Sequence, residues 1–423
     1  MSIWPETTFL GKIHIKHGFA FKGDYFTQVG KYMVLTPGNF YEQGGFRVRE
    51  GKEKYYVGEI PEQYILKQGD LIVAMTEQGE GLLGSAAIVP ESDTYLHNQR
   101  LGLITADKTE LDKRFLYYLF NTNIVRQQIR NSSSGTKVRH TSPERIYKTK
   151  VTLPKVDIQQ KIADVLFAYD DLIENNKRRI ALLEKMAEEI YREWFVRFRF
   201  PGYQAAEFEK GIPKNWGYEK LDDLCSTIKR GISPKYDEES EMLVINQKCI
   251  RNGQIDLSEA RTHETKTPNE KYIRFADALI NSTGVGTLGR VSVVEFESVK
   301  VTVDSHVTIC RADPKVINPQ YLSVTVSQLQ HYFEFMASGS TGQVELNRSL
   351  IAGIKVRVPD RDIQDKFSEF ITDIWKQKQN LFRANENLKR TKEMLLPRLI
   401  SGKLSVADLD IQVPPSMSDD EAA

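Results

Sequence analysis

The sequence predicts an α+β protein: two mixed α/β domains separated by two long helices that pair as an antiparallel coiled coil, in a pseudo-two-fold internal repeat. Three observations carry this. A helix-opening phrase occurs twice, as LPKVDIQQKIADVL at 153–166 and VPDRDIQDKFSEFI at 358–371, with Pro154 and Pro359, and Asp157 and Asp362, each 205 positions apart. A glycine-bearing stretch repeats at the same offset, GEGLLGSAAIVPES at 79–92 against GVGTLGRVSVVEFE at 284–297. After each phrase, apolar residues recur at three- and four-residue steps, as in a helix that buries one stripe. A repeat this long is a duplicated domain, not a solenoid unit.

The elements follow in order. Both halves open alike, WPETTFLGKIHIKHGFAFK from Trp4 and WGYEKLDDLCSTIKRGISPK from Trp216. GDLIVAMT at 69–76 resembles ADALINST at 276–283, with a two-residue gap to absorb. Short runs such as LIVAM, SAAIV, ALINS, VSVVEF and HVTIC, bounded by turn residues, read as strands. KRFLYYLFNTNIVRQQIR and PQYLSVTVSQLQHYFEFM read as the helical stretches closing each domain. The expected segments are a first domain at 1–154, a helix at 155–203, a second domain at 204–359, a second helix at 360–411 and an acidic disordered tail at 412–423.

The long helices are each marginal alone and most simply bury their stripes against each other. A globular domain lies between them in the chain, so an antiparallel pairing is expected. The seam is read as Ile162, Tyr169, Asn176, Leu183 and Ile190 against Phe367, Ile374, Leu381 and Leu388. Asn176 then sets register at some cost in stability. Asp157 and Asp362 are read as N-caps, Pro201-Gly202 as the end of the first helix, and Pro397 as the break in the second.

Composition excludes several classes. With 40% apolar and 27% charged residues the chain is globular, and a net charge of +1 gives no global argument for a polyanionic partner. Distribution says more. From Arg126 to Lys155 stand Arg126, Arg130, Lys137, Arg139, Arg145, Lys148, Lys150 and Lys155 against the single acid Glu144. Taken alone, such a run reads as a solvated charged face. Cys225, Cys249 and Cys310 are far apart in sequence and fit reduced thiols. His14 and His17 have no second pair and read as surface histidines, so no metal site is expected. There is no membrane-length apolar run and no signal-type segment, which points to the cytoplasm.

Catalytic motifs are missing. Both glycine stretches satisfy GxGxxG, but β-type runs follow them where a dinucleotide site needs a helix. PDRDIQDK at 359–366 evokes a nuclease carboxylate cluster, yet it opens a helix and repeats a non-acidic counterpart. No GxSxG, Walker loop, HExxH or amino-methyltransferase Asn/Asp-Pro-Pro-aromatic motif occurs.

Residues 153–203, ending in Trp-Phe and Phe-Pro-Gly, resemble the central conserved region of the specificity (S) subunit, HsdS, of type I restriction-modification systems. KRTKEMLLPRLISGKLSV at 389–406 resembles that family's C-terminal counterpart, and HGFAFKGDYF at 17–26 and IPKNWGYEKLDDL at 212–224 resemble the openings of its target-recognition domains. Gln159 and Gln364 depart from the glutamate many members carry there, at what reads as a helix-cap position. The resemblance covers essentially the whole chain. It implies a non-catalytic DNA-reading scaffold in which each target-recognition domain reads half of a split double-stranded site. It further implies two methyltransferase subunits with S-adenosylmethionine, and two motor-nuclease (restriction/translocase) subunits using ATP and Mg. This chain itself would bind no cofactor.

SSSGTKVRHTSPERIYK at 132–148 and its counterpart ASGSTGQVELNRS at 337–349 are the expected reading segments. Small residues permit close approach to phosphates, and the polar residues after them reach base edges. The candidate DNA contacts are Lys137, Arg139, His140 and Arg145 in the first domain. In the second they are Gln343, Asn347 and Arg348, with Lys22, Lys229 and Arg230 as further basic candidates. Two other readings remain: a coiled-coil scaffold without base readout, and a self-contained modification enzyme.

Overall fold

A computed structural model describes residues 4–49, 51–77, 81–298, 300–338 and 345–411. It divides into two compact units, 1–174 with 386–423, and 175–385. This division differs from the expected five segments. Each unit combines one globular domain with a stretch of both long helices, Val156–Tyr191 (the central helix) and Arg361–Ile400 (the C-terminal helix). The acidic tail lies outside the described residues.

In the first unit a four-stranded antiparallel sheet runs in the order Ile13–His17, Leu101–Ala106, Leu71–Ala74, Ala86–Ile88. In the second the order is Cys225–Arg230, Val307–Ala312, Ala278–Asn281, Val291–Val293. The same topology therefore occurs twice. LIVA at 71–74 is wholly buried because successive side chains point to opposite faces of the sheet and both faces are covered. Leu71 and Val73 join the core under the helices, while Ile72 and Ala74 join a separate core with Met33, Leu35 and Phe40. In the second unit Ala278 and Ile280 divide from Leu279 in the same way. Each helical stretch expected to close a domain is two helices: Lys113–Phe120 and Asn123–Asn131, then Pro319–Gln328 and Gln330–Ser338. Thr122 caps the second of these by accepting the Val125 amide.

The long helices run antiparallel within each unit. In the second unit, Asn176 meets Asn385 and Glu184 meets Lys378. In the first, Asp170 meets Lys392, while Lys161 donates to the carbonyls of Ala407 and Leu409 at 2.7 and 2.8 Å. The buried line of the central helix passes through Ile162, Leu166, Ile173 and Ile180, whereas Tyr169, Asn176, Leu183 and Ile190 are half-buried beside it. On the C-terminal helix Phe367, Ile374 and Leu381 are buried and Leu388 is half-buried.

Three helix-end expectations are corrected. Asp157 and Asp362 lie inside the first turn, where a carboxylate favours the positive end of the helix dipole, and are not caps. The central helix ends well before Pro201, passing at Arg192–Val196 into a π-turn. The C-terminal helix continues through Pro397 to Ile400, because Leu399 and Ile400 are buried in the first unit's core and offset the missing amide.

The repeated phrase itself closes a joint. Gln159 is fully buried; its Oε1 accepts the Asp112 amide at 3.0 Å, and its Nε2 donates to the carbonyls of Glu110 (3.0 Å) and Pro154 (2.9 Å). Gln364 accepts the Asn318 amide at 2.9 Å and donates to the Pro359 carbonyl at 2.8 Å. Asp112 and Asn318 are themselves the N-caps of Lys113–Phe120 and Pro319–Gln328. Each glutamine thus ties a domain helix to the first turn of a long helix, a larger task than the cap expected of it. The cysteines are free, as expected, but the fold brings Cys225 and Cys310 to 3.4 Å across neighbouring strands.

Candidate functional site

The first reading segment folds as a tight hairpin. Ser134 and His140 exchange backbone hydrogen bonds at 3.0 and 2.8 Å, and Gly135 turns the chain between them with φ +95°. Arg139–His140 then pairs antiparallel with Thr76–Glu77, so Arg139 stands opposite Glu77 and His140 opposite Thr76. Lys137 and His140 are exposed and Arg139 is half-exposed. The serines have another task than approaching phosphate: Ser132 and Ser133 donate to the carbonyls of Ile129 and Arg130, finishing the preceding helix.

The basic run divides into two sets. Arg126 is a latch, donating to the carbonyls of Leu83 (2.9 Å), Glu42 (2.7 Å) and Gly81, and burial pushes its guanidinium down to about 10. Arg130 reaches the buried Glu77 at 3.4 Å, and that carboxylate accepts the amides of Leu82 and Leu83. Arg145 props the hairpin from behind, donating to Ser134 Oγ at 2.9 Å and the His140 carbonyl at 3.3 Å. It supports the reading segment instead of projecting from it. Lys150 pairs with Glu6 at 3.2 Å. Lys137, Arg139, Lys148 and Lys155 have no ion pair among the described residues.

In the second domain residues 339–344 of the counterpart segment, Gln343 among them, lie outside the described residues. From Glu345 onward the chain matches the first domain: Glu345 bridges Thr283 as His140 pairs with Thr76. Asn347 has a structural task. It is the N-cap of Arg348–Gly353, its Oδ1 accepting the Leu350 amide and the Ser349 hydroxyl, as Ser142 caps Pro143–Tyr147. Arg348 is exposed, 3.8 Å from Asp222. Arg230 pairs with Glu345 and donates to the Leu346 carbonyl at 3.2 Å, Lys229 lies 3.6 Å from Glu270, and Lys22 is exposed before a short 3-10 turn.

The described glycines of these stretches, Gly81, Gly84, Gly284, Gly286 and Gly289, lie between paired antiparallel strands. The strands Ala86–Ile88 and Val291–Val293 follow them, so no helix N-terminus awaits a phosphate. Gly79 and Glu80 lie outside the described residues. Among the described residues no cluster of three or more His, Cys, Asp or Glu is placed to hold a metal, and no helix is long and apolar enough to cross a membrane.

The matching sheet ends of the two domains hold residues that were not among the candidate DNA contacts: His17 and Arg100 in the first, Thr283 and His306 in the second. His17 precedes Gly18 and Arg230 precedes Gly231, and both glycines are required. A Cβ on Gly18 would lie 2.2 Å from the Asn98 carbonyl oxygen, and one on Gly231 only 1.8 Å from that of Val303. Arg100 and His306 stand at matching places, since the Met75 amide donates to the Arg100 carbonyl as the Ser282 amide does to His306. Aligning the two halves and asking which exposed positions differ would have found His17, Arg100 and His306.

The sequence pattern of the family described as "Type I restriction modification DNA specificity domain" matches twice, at residues 6–185 and 213–390. The chain is 27% identical over 312 residues to the type I restriction enzyme MjaIX specificity subunit of Methanocaldococcus jannaschii, covering 70% of each chain. It is 22% identical to the EcoBI specificity subunit of Escherichia coli, covering 95% of this chain and 86% of that one. In fold it resembles the crystal structure of the type I restriction-modification S subunit from M. genitalium. That match has a TM-score of 0.60, 16% identity, and coverage of 94% of this chain and 96% of that one.

Proposed function

The chain belongs to the type I restriction-modification DNA specificity family, and from that premise we propose how it reads DNA. It is the DNA specificity subunit of a type I restriction-modification system. Each recognition domain reads one half of a bipartite, asymmetric double-stranded site, and the paired helices set the separation of the halves. The helices also dock two methyltransferase subunits carrying S-adenosylmethionine, and two restriction/translocase subunits using ATP and Mg join for cleavage. The chain performs no catalysis itself and works in the cytoplasm.

One observation carries this reading. An identical hydrogen-bonded frame occurs in both domains, each tied by a buried glutamine to a long helix, while the exposed groups on the frame differ. Two like scaffolds with unlike surfaces suit two unlike half-sites in opposed orientation. Hydrogen-bonding side chains on a sheet end and hairpin suit base edges, and the unpaired lysines suit phosphates. Mapping methylated bases in cells that express the chain with its methyltransferase subunits tests the reading. A split sequence of two unequal halves at one spacing is expected; methylation at a continuous site, or at none, would overturn it.

A further inference from the structure

The duplicated frame allows each reading position in one domain to be matched with its counterpart in the other. The hydrogen bonds agree one for one. The Thr141 amide donates to the Met75 carbonyl at 3.0 Å, and the Leu346 amide to that of Ser282 at 2.9 Å. The Gly18 amide donates to Leu101 and the Gly231 amide to Val307, at 3.3 and 3.1 Å. The Arg100 amide donates to Asn98 Oδ1 and the His306 amide to Asp304 Oδ1, both at 2.9 Å. Several anchoring positions keep their type: glycine at 18 and 231, a short side-chain acceptor at 98 and 304, threonine at 76 and 283. Others change under the same backbone bonds, Met75 being matched by Ser282 and Thr141 by Leu346.

At three matched positions on this frame both residues bear charged or imidazole side chains, of different kind in the two domains. His17 is matched by Arg230, Arg100 by His306, and His140 by Glu345. Each of the six is exposed except Arg230, which is half-exposed. They cluster in both domains. His17 ends the strand beside Leu101–Ala106, Arg100 leads into that strand, and His140 pairs with Thr76 at the end of the next. In the second domain His306 Nδ1 lies 2.5 Å from Thr283 Oγ1, Thr283 bridges Glu345, and Glu345 pairs with Arg230. The backbone hydrogen bonds of the frame are kept while these outward side chains change.

Resting on the proposed function, we propose that His17, Arg100 and His140 in the first domain, and Arg230, His306 and Glu345 in the second, are the specificity-determining positions. The chemistry available differs between the sets in the way unequal half-sites require. Arg100 presents paired donors suited to guanine O6 and N7, and Glu345 an acceptor suited to the cytosine amino group. The Thr283 hydroxyl holds His306 through Nδ1, leaving Nε2 for a base edge. Arg230 steadies Glu345 and supplies a second donor at the same edge.

The test exchanges one matched pair, Arg100→His and His306→Arg, each in the full chain with its methyltransferase subunits in cells, followed by genome-wide mapping of methylated bases. Both residues are exposed, and thermal melting checks that each variant folds as the wild type does. R100H is expected to change base tolerance by about tenfold at one position of one half-site, and H306R at one position of the other. Where methylation is lost, retardation of duplexes randomised in one half-site at a time reads the same question. Unchanged half-sites in both variants, or either variant altering both halves, would overturn the assignment. A wild-type complex that still methylates a split site would leave the proposed function standing in that case.

Discussion

The side-chain amide of Asn176 donates through Nδ2 to Oδ1 of Asn385 at 2.9 Å, placing a polar pair in the seam of the second unit, where Glu184 and the buried Lys378 also meet. Asn385 is buried, one turn from Leu381, as Asn176 is one turn from Ile180. A pair of this kind sets register, because a slipped alignment leaves buried amides without partners. The double variant Asn176→Leu and Asn385→Leu is expected to melt higher, by about 2–4 °C for each kcal/mol gained. It should also methylate sites with more than one spacer length. A lower melting temperature with an unchanged spacer would contradict this role.

Gln159→Leu removes the joint of the first unit and leaves the Asp112 amide and the Glu110 and Pro154 carbonyls without that partner. Each buried group so left costs about 1–3 kcal/mol, so a clear fall in unfolding free energy is expected in urea titration. Gln159→Glu should recover only part of it, since a carboxylate accepts the Asp112 amide but donates to neither carbonyl. Equal stability of all three proteins would remove the joint.

His97 makes the first unit sensitive to acid. Its ring is buried, with Nε2 donating to the Leu101 carbonyl at 3.0 Å, and burial pushes its pKa down to about 4. The unfolded chain takes up this proton at about pH 6.5, and the folded chain does not until near pH 4. Stability is therefore full above about 6.5 and declines as pH falls towards 4, by up to about 3 kcal/mol. Burial shifts His263 of the second unit in the same direction. His97→Gln should flatten the slope of unfolding free energy over this window for the first unit; an unchanged slope would refute the assignment.

Arg139→Ala and Arg126→Ala should separate reading from support. The first removes a half-exposed side chain on the hairpin, and is expected to weaken DNA binding or relax one half-site by about 1–3 kcal/mol with the melting temperature kept. The second breaks a buried latch on three carbonyls and should lower the melting temperature first. Duplex retardation and thermal melting on both variants distinguish the two.

Much of the architecture was legible because duplication and periodicity are both written in side-chain type. LIVAM, SAAIV, ALINS and HVTIC are strands, and the phrases at 153 and 358 do open long helices. The phase of the seam was harder to read. The central helix carries apolar residues on more than one face, Leu172, Leu182 and Met186 being exposed, so the buried line through Leu166, Ile173 and Ile180 did not stand out. Pro397 misled because the burial of Leu399 and Ile400 is a tertiary effect that local chemistry does not report. The candidate segment could be picked out by its composition, but not the local hydrogen bonds its residues make. Arg145 and Asn347 have the right chemistry for DNA, yet one props the hairpin and the other caps a helix. Arg100 and His306 gave no local signal, since their importance arises from the frame they share.

Two readers on one spacer can be separated from any other arrangement by inserting one heptad into the central helix and a matching heptad into the C-terminal helix, then mapping methylated bases in cells with the methyltransferase subunits. A changed spacing between the half-sites, with both half-sites kept, is expected. Recognised bases that change while the spacing stays fixed would contradict it.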